Sequence, residues 1–300
     1  MITPPYLKPG DKVGILSTAR KVDASDLKDA LELLKSWGLE AVIGASIGAS
    51  QDQYSGSDSM RRDDLQHMLN DTSIKAIWCA KGGYGTVRII DALDFYKFIK
   101  YPKWIVGYSD VTVLHSHLNT MGFETLHGAM AKGIENTTAF AKKSLQDALF
   151  GKSLKYHLNT HPLNRMGTAT GEKTGGNLSI LYSLCGSNSA VNTEGKILFI
   201  EDLDEYLYHI DRMMMNLKRN GLLKNLSGLV VGGLTKMRDN GVRFGKNAKE
   251  IVFEAVQEYD FPVFFDFPAG HLDDNRALIL GRKVALDVTE NGVKLNFAEV

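Results

Sequence analysis

Short apolar runs alternate with helical patterns through the first half of this 300-residue chain, and that alternation constrains the fold more than any other feature. Asp11–Thr18 is a strand-length run, and Ala24–Trp37 places Leu27, Ala30, Leu31 and Leu34 at helical spacing before Gly38 stops it. Leu39–Ala45 reads as a strand, Ser57–Leu69 as a polar-faced helix and Lys75–Ala80 as a buried strand. A glycine cluster, a helix over Thr86–Leu93 and a strand over Trp104–Tyr108 follow. Strands separated by helices of ten to fifteen residues imply βαβ units, hence an α/β fold with a parallel sheet covered on both faces.

The pattern fades after Phe150. His157–Asn177 is rich in Gly, Thr, Asn and Pro and has no apolar period. This predicts a division into residues 1–155, a linker over 156–176, and a smaller β-rich unit over 177–300. That second unit shows strands at Lys196–Ile200, Leu229–Val231 and Val263–Phe267, and helices at Asp204–Lys218 and Ala248–Glu258. A hairpin over Val284–Val288 and Val293–Phe297 ends the chain.

Composition removes several function classes. The 35 basic residues balance 35 acidic ones, so no general electrostatic affinity for nucleic acid or an anionic membrane is expected. There is no run of eighteen apolar residues, and the start lacks the basic and apolar regions of a secretory signal, so a cytoplasmic location is expected. Two cysteines, Cys79 and Cys185, make neither a disulfide framework nor a four-cysteine zinc site, and both read as buried free thiols.

Four stretches could carry chemistry. In Trp104-Ile-Val-Gly-Tyr-Ser109-Asp-Val-Thr-Val-Leu-His115, a strand runs into a helix with Ser109 at the turn. A nucleophile elbow has this form, although the second glycine of G-x-S-x-G is replaced by Val111; a helix cap at Ser109 is the alternative. Lys81-Gly82-Gly83-Tyr84-Gly85 follows a strand, and its backbone N–H groups suit a phosphate or an oxyanion, or only a tight turn. Glu201 ends an apolar strand. Its neighbours Asp202, Asp204 and Glu205 suggest a divalent-metal site or merely the acidic first turn of a helix. His271 sits in a loop after Gly270, beyond the strand VFFDF. His115 and His117, two apart on one helix, make a poor metal pair. A serine, a carboxylate and a histidine thus each lie just past a strand end, the three residue types a hydrolytic triad requires.

With these residues in order, the chain resembles the LD-carboxypeptidases, serine peptidases that include muramoyl-tetrapeptide carboxypeptidase and the microcin C immunity peptidase. The resemblance runs nearly end to end, through Leu7-Lys-Pro-Gly-Asp-Lys-Val-Gly, Tyr54-Ser-Gly-Ser-Asp, Arg62-Asp-Asp-Leu and Ala76-Ile-Trp-Cys-Ala-Lys-Gly-Gly-Tyr-Gly. Gly107-Tyr-Ser-Asp-Val-Thr-Val-Leu-His, Thr174-Gly-Gly-Asn-Leu, Glu201-Asp and Gly270-His complete it. It implies a parallel-sheet α/β domain, a smaller β-rich domain and an active site between them. It further implies Ser109 as nucleophile, His271 as general base and acid, and Glu201 as the carboxylate that orients it. Backbone N–H groups of Asp110 and Gly83 would form the oxyanion hole. No metal and no cofactor are implied, and members are commonly homodimers. Lys81 departs from the arginine usual there, keeping the charge without the bidentate fork.

The implied reaction releases terminal D-alanine from a murein tetrapeptide; a microcin C-type nucleotide conjugate is the alternative substrate. A nucleotide- or phosphate-binding protein using the KGGYG loop is the alternative of another class. Gly82 and Tyr84 are candidates for substrate contact, and Arg212 and Arg276 for clamping the D-alanine carboxylate.

Overall fold

A computed structural model describes residues 1–299. Strands β1 (Lys12–Leu16), β2 (Glu40–Ile43), β3 (Ile74–Cys79), β4 (Trp104–Gly107) and β5 (Thr125–His127) run parallel in the order β2-β1-β3-β4-β5. Helices α1 (Lys28–Ser36), α2 (Asp58–Asn70), α3 (Tyr96–Lys100) and α4 (Thr112–Thr120) connect them, and α5 (Ala139–Leu149) follows. β4 is buried throughout and β3 at every residue but Lys75, as strands covered on both faces must be. Hydroxyl caps set two of the helix starts: Ser57 accepts the Met60 N–H at α2, and Thr138 the Ala141 N–H at α5.

The second sheet holds β6 (Lys155–Leu158), β7 (Gly167–Asn177), β8 (Ile197–Leu203), β9 (Gly228–Thr235) and β10 (Val263–Phe265). β11 (Leu278–Leu280) returns to the first sheet and pairs antiparallel with β5. The hairpin β12 (Lys283–Thr289) and β13 (Gly292–Phe297) then completes the second sheet, ordered β10-β9-β8-β7-β12-β13-β6. Its first four strands are parallel and the remainder antiparallel. Helices α6 (Leu178–Ser183), α7 (Leu207–Arg219) and α8 (Ala248–Ala255) pack on it.

Three sequence expectations change. The supposed linker over 156–176 is largely strand, because β6 takes its start and β7 its second half. β7 buries glycine backbone instead of apolar side chains: a Cβ on Gly175 would stand 1.9 Å from the Phe199 carbonyl oxygen. Hydrophobic periodicity is blind to such a strand. Thr86–Leu93 forms two single 3-10 turns, not a helix. There the β-branched Thr86, Val87, Ile89 and Ile90 weaken helix propensity, and Thr86 is tethered by its N–H to Asp110 and its hydroxyl to Thr18. Lastly, Asp204 and Glu205 do not open a helix. Asp204 takes a left-handed φ of +62° and α7 starts at Leu207.

Helix α4 lies between the sheets and is buried at seven of its nine positions, so it has no solvent face to read as amphipathic. One core cluster includes Trp78, Val106 and Leu126 of the first sheet with Phe199, Phe264 and Leu286 of the second. This shared core holds the two sheets in fixed relation. Among the described residues no helix is long and apolar enough to cross a membrane.

Candidate active site

The carboxyl ends of the parallel strands in both sheets point into one cleft, the place where open α/β sheets bind ligands. It encloses about 700 Å³ and is lined by Ser109, Gly82, Gly83, Lys81, Asn177, Asp202 and His271 among others.

Ser109 lies two residues past the end of β4 and holds a φ of +59°, unusual for a residue with a side chain. Its side chain caps no helix N–H; Tyr108 takes the cap position without a side-chain bond. The elbow reading therefore describes the turn and the cap reading does not. The strained turn aims Oγ into the cleft, where it lies 3.2 Å from His271 Nε2. His271 Nδ1–H donates to Glu201 Oε2 at 2.7 Å. With Nδ1 as the donor, Nε2 is the lone-pair nitrogen and accepts from the serine hydroxyl.

Glu201 is wholly buried at the end of β8, where the ladder to β9 breaks register between Ile200 and Asp202. A bulge of this kind re-aims a side chain. The carboxylate accepts from the His271 backbone N–H at 3.2 Å and from Asn177 Nδ2–H at 3.2 Å, so it is held at both oxygens. Gly270 must be glycine here: its φ is +106°, and a Cβ would meet Glu201 Oε2 at 2.6 Å. Burial pushes the His271 imidazole down, but the hydrogen bond and charge of Glu201, with Asp202 behind, together hold it above its ordinary range. Asp202 accepts from Asn177 Nδ2–H and the Ser179 and Leu203 N–H groups, and burial and the Glu201 charge push its carboxyl up to about 7. Tyr108 packs edge-on to His271 at 4.9 Å.

The glycine loop closes the other wall. A Cβ on Gly82 would lie 3.1 Å from Ser109 Cβ, and Gly83, at φ +112°, would drive one into Arg20 Cδ at 2.6 Å. Asp110 is buried, and its carboxylate accepts the Thr86 N–H at 2.9 Å, tying this loop to the turn that bears Ser109. Burial pushes the Asp110 carboxyl up, against the pull of that bond.

The remaining candidates separate. Gly82, Gly83, Ser109 and His271 line the cleft, but Tyr84 turns outward toward Tyr54. Arg212 lies over the Tyr208 ring, and Arg276 pairs with Asp274 and covers Phe140. Neither arginine lines the cleft, so the expected clamp is not there. The cations that do line it are Arg20, Lys81 and Lys132, from the loops after β1, β3 and β5. Lys132 pairs with Asp26. Burial, and then the Lys132 and Arg20 charges, push the Lys81 ammonium down. Arg20 and Lys132 escaped the sequence reading, and Asn177 entered it only within the matched Thr174-Gly-Gly-Asn-Leu, with no role; a place in the loops beyond the strand ends is the signal that could have flagged them.

Among the described residues no three His, Cys, Asp or Glu side chains are placed to hold a metal ion. Glu201 and His271 are engaged with each other, which leaves the acidic stretch after β8 without the donors a metal needs. Cys79 is buried and Cys185, expected to be buried as well, is half-exposed.

Profiles of known families agree with this geometry. That for the LD-carboxypeptidase N-terminal domain matches residues 13–128, and that for the C-terminal domain residues 170–286. The chain belongs to the LD-carboxypeptidase family. It is 34% identical to a probable murein peptide carboxypeptidase of Bacillus subtilis, over 96% of this chain and 92% of that one. It is 25% identical to the murein tetrapeptide carboxypeptidase of Pseudomonas aeruginosa, over 92% and 93% of the two chains. A solved muramoyltetrapeptide carboxypeptidase from Oxalobacter formigenes superposes with a TM-score of 0.87 at 25% identity, covering 96% of this chain and 98% of that one. The microcin C7 self-immunity protein MccF shares the fold, with a TM-score of 0.87 at 22% identity over 98% of both chains. The expected family and two-part α/β fold hold, and the family match sets aside the phosphate-binding reading of the KGGYG loop.

Proposed function

We propose that this carboxypeptidase hydrolyses the L,D amide that joins terminal D-alanine to the diamino acid of a murein tetrapeptide, with Ser109, His271 and Glu201 as its triad. The observation that carries the reading is the unbroken chain from Glu201 Oε2 through both His271 nitrogens to Ser109 Oγ, at the floor of a cleft with cations on one wall. His271 Nε2 takes the hydroxyl proton as Ser109 Oγ attacks the carbonyl carbon, and Glu201 stabilises the imidazolium that forms. The N–H groups of Gly83 and Asp110 receive the oxyanion. His271 returns the proton to the departing D-alanine nitrogen. Water, deprotonated by the same nitrogen, then frees the acyl group from Ser109.

A carboxypeptidase must also recognise a free carboxylate. Arg20 and Lys81 are placed for that, with Lys132 adding charge from behind its pair with Asp26. Among the described residues Tyr108 is the only Phe, Tyr or Trp lining the cleft, and it is spent packing on His271, so these residues offer no free stacking platform for a nucleotide base. This favours the murein peptide over a microcin C-type conjugate. The enzyme works as a cytoplasmic homodimer without metal or cofactor.

The test is D-alanine release from L-Ala-γ-D-Glu-meso-diaminopimelyl-D-Ala, with Ser109→Ala in parallel. Release by the wild type and a loss of several orders of magnitude in kcat for the folded variant are expected. Wild-type turnover by Ser109→Ala refutes the triad. A wild type that takes a phosphonate at Ser109 but releases no D-alanine refutes the substrate alone.

A further inference from the structure

Behind Ser109 and His271, where β5 faces β7 and β8, polar side chains are buried with no protein partner. Lys173 on β7, His127 on β5 and His115 on α4 are each 0% exposed, and Asn275 is 3% exposed. Lys173 Nζ, both His127 ring nitrogens, His115 Nδ1 and Asn275 Nδ2 make no well-formed hydrogen bond among the described residues, although the Asn275 side chain stands near enough to the His127 ring to act on its charge. These side chains are neighbours. The His127 ring packs on Phe199 at 4.9 Å, Lys173 Nζ stands 5.4 Å from the same ring, and the His115 and His127 rings are 6.5 Å apart. Each orphaned buried polar atom costs a folded chain about 1–3 kcal/mol. Five together call for a ligand.

The chemistry of the set selects which ligand. His115 Nε2–H donates to the Gly107 carbonyl at 2.9 Å, which leaves Nδ1 a lone-pair acceptor. Asn275 Oδ1 accepts the Gly270 N–H at 2.9 Å, which leaves its amide N–H groups to donate. A neutral His127 offers one donor and one acceptor. Lys173 brings N–H donors to the set, and burial pushes its ammonium well below the ordinary range. An anion needs donors only and a metal needs lone pairs only; water satisfies the mixture. The spacing agrees. A direct N–H···N bond would bring two imidazole centroids to about 5 Å, and 6.5 Å leaves the gap that one bridging water spans.

We propose that these side chains enclose a chamber between the sheets, filled by a cluster of ordered internal water bound to His115, His127, Lys173 and Asn275, which fixes the strand end before Ser109 relative to the loop bearing His271. His115 grips the carbonyl two residues before Ser109, and Asn275 grips the N–H one residue before His271. The water joins those two grips across the boundary between the sheets. The four residues are positioning residues and touch no substrate. Their effect on turnover rests on the triad reading; the occupancy of the chamber does not.

A high-resolution crystal structure of the wild-type enzyme tests occupancy. Ordered water within hydrogen-bonding distance of His127, His115 Nδ1 and Lys173 Nζ is expected. A dry chamber with these side chains bonded directly to one another, or an anion or metal in it, overturns the proposal. Kinetics test the positioning. His127→Phe removes both polar atoms and is expected to lower kcat by roughly ten- to a hundredfold with KM unchanged. His127→Gln, which keeps a donor and an acceptor, is expected to restore most of that loss. Equal losses in both variants, or a change in KM alone, overturn the positioning role. If the variants do not fold, the wild-type crystal structure still decides. If Ser109→Ala stays active while water fills the chamber, the triad reading fails and the hydration site stands.

Discussion

Glu201→Gln keeps the volume of the side chain and removes its charge. Every partner of the carboxylate is a donor: Asn177 Nδ2–H at 3.2 Å on Oε1, and the His271 N–H at 3.2 Å and Nδ1–H at 2.7 Å on Oε2. A glutamine has one acceptor oxygen, so its amide nitrogen must oppose a donor. Turned toward His271 it would lose two bonds and force the wrong tautomer. Turned toward Asn177 it loses one, and Asn177 keeps its 3.0 Å bond to Asp202. The second arrangement wins, and stability falls by about 1–2 kcal/mol. The reaction loses more. Opposite unit charges about 4 Å apart interact by about 4 kcal/mol at an effective dielectric of 20. The imidazolium exists only after the proton has left Ser109, so the loss falls on kcat, by about a thousandfold. Because Glu201 holds the His271 imidazole above its ordinary range, the acid limb of kcat/KM also moves to lower pH in the variant. D-alanine release measured across pH reads both effects. A variant within tenfold of wild-type kcat, with an unmoved acid limb, refutes the role of Glu201.

Lys81→Met and Arg20→Met are each expected to raise KM for the tetrapeptide about tenfold or more, while Arg212→Ala and Arg276→Ala leave it within about twofold; the opposite pattern in steady-state kinetics would move the carboxylate site elsewhere. Gly83→Ala pairs a left-handed φ of +112° with a Cβ 2.6 Å from Arg20 Cδ, so the loop must shift. A loss of about a hundredfold in kcat follows if its N–H serves the oxyanion, and wild-type turnover would remove Gly83 from that role. Burial pushes the Cys79 thiol up to about 12, so in the native protein at pH 8 an aromatic disulfide reagent should modify Cys185 first and reach Cys79 only on unfolding. Prompt labelling of Cys79, read by mass spectrometry, would contradict its burial.

Much of the first sheet was legible because each strand states its burial in its own residues. KVGIL, IKAIWC and WIVG are apolar runs between turn signals, and buried parallel strands need nothing else. Ser109, Glu201 and His271 stood out for a related reason: each is a reactive residue just beyond such a run, where a sheet presents its ligands. β7 and β11 were not legible. β7 is held by glycine backbone against β8, and β11 is three residues long and finds its partner in the other sheet. Arg212 and Arg276 were chosen by chemistry alone, which carries no direction. Arg20, Lys81 and Lys132 come from three separate loops, and only the parallel order of β1, β3 and β5 brings them to one wall. His115 and Lys173 likewise meet only because α4 and β7 pack across the boundary between the sheets. Amino-acid type and local period thus determined most of the elements, the family and the candidate triad. The triad's contacts, the cation wall and the buried polar chamber were decided by tertiary packing, because each depends on which distant strands become neighbours, and no local pattern records that.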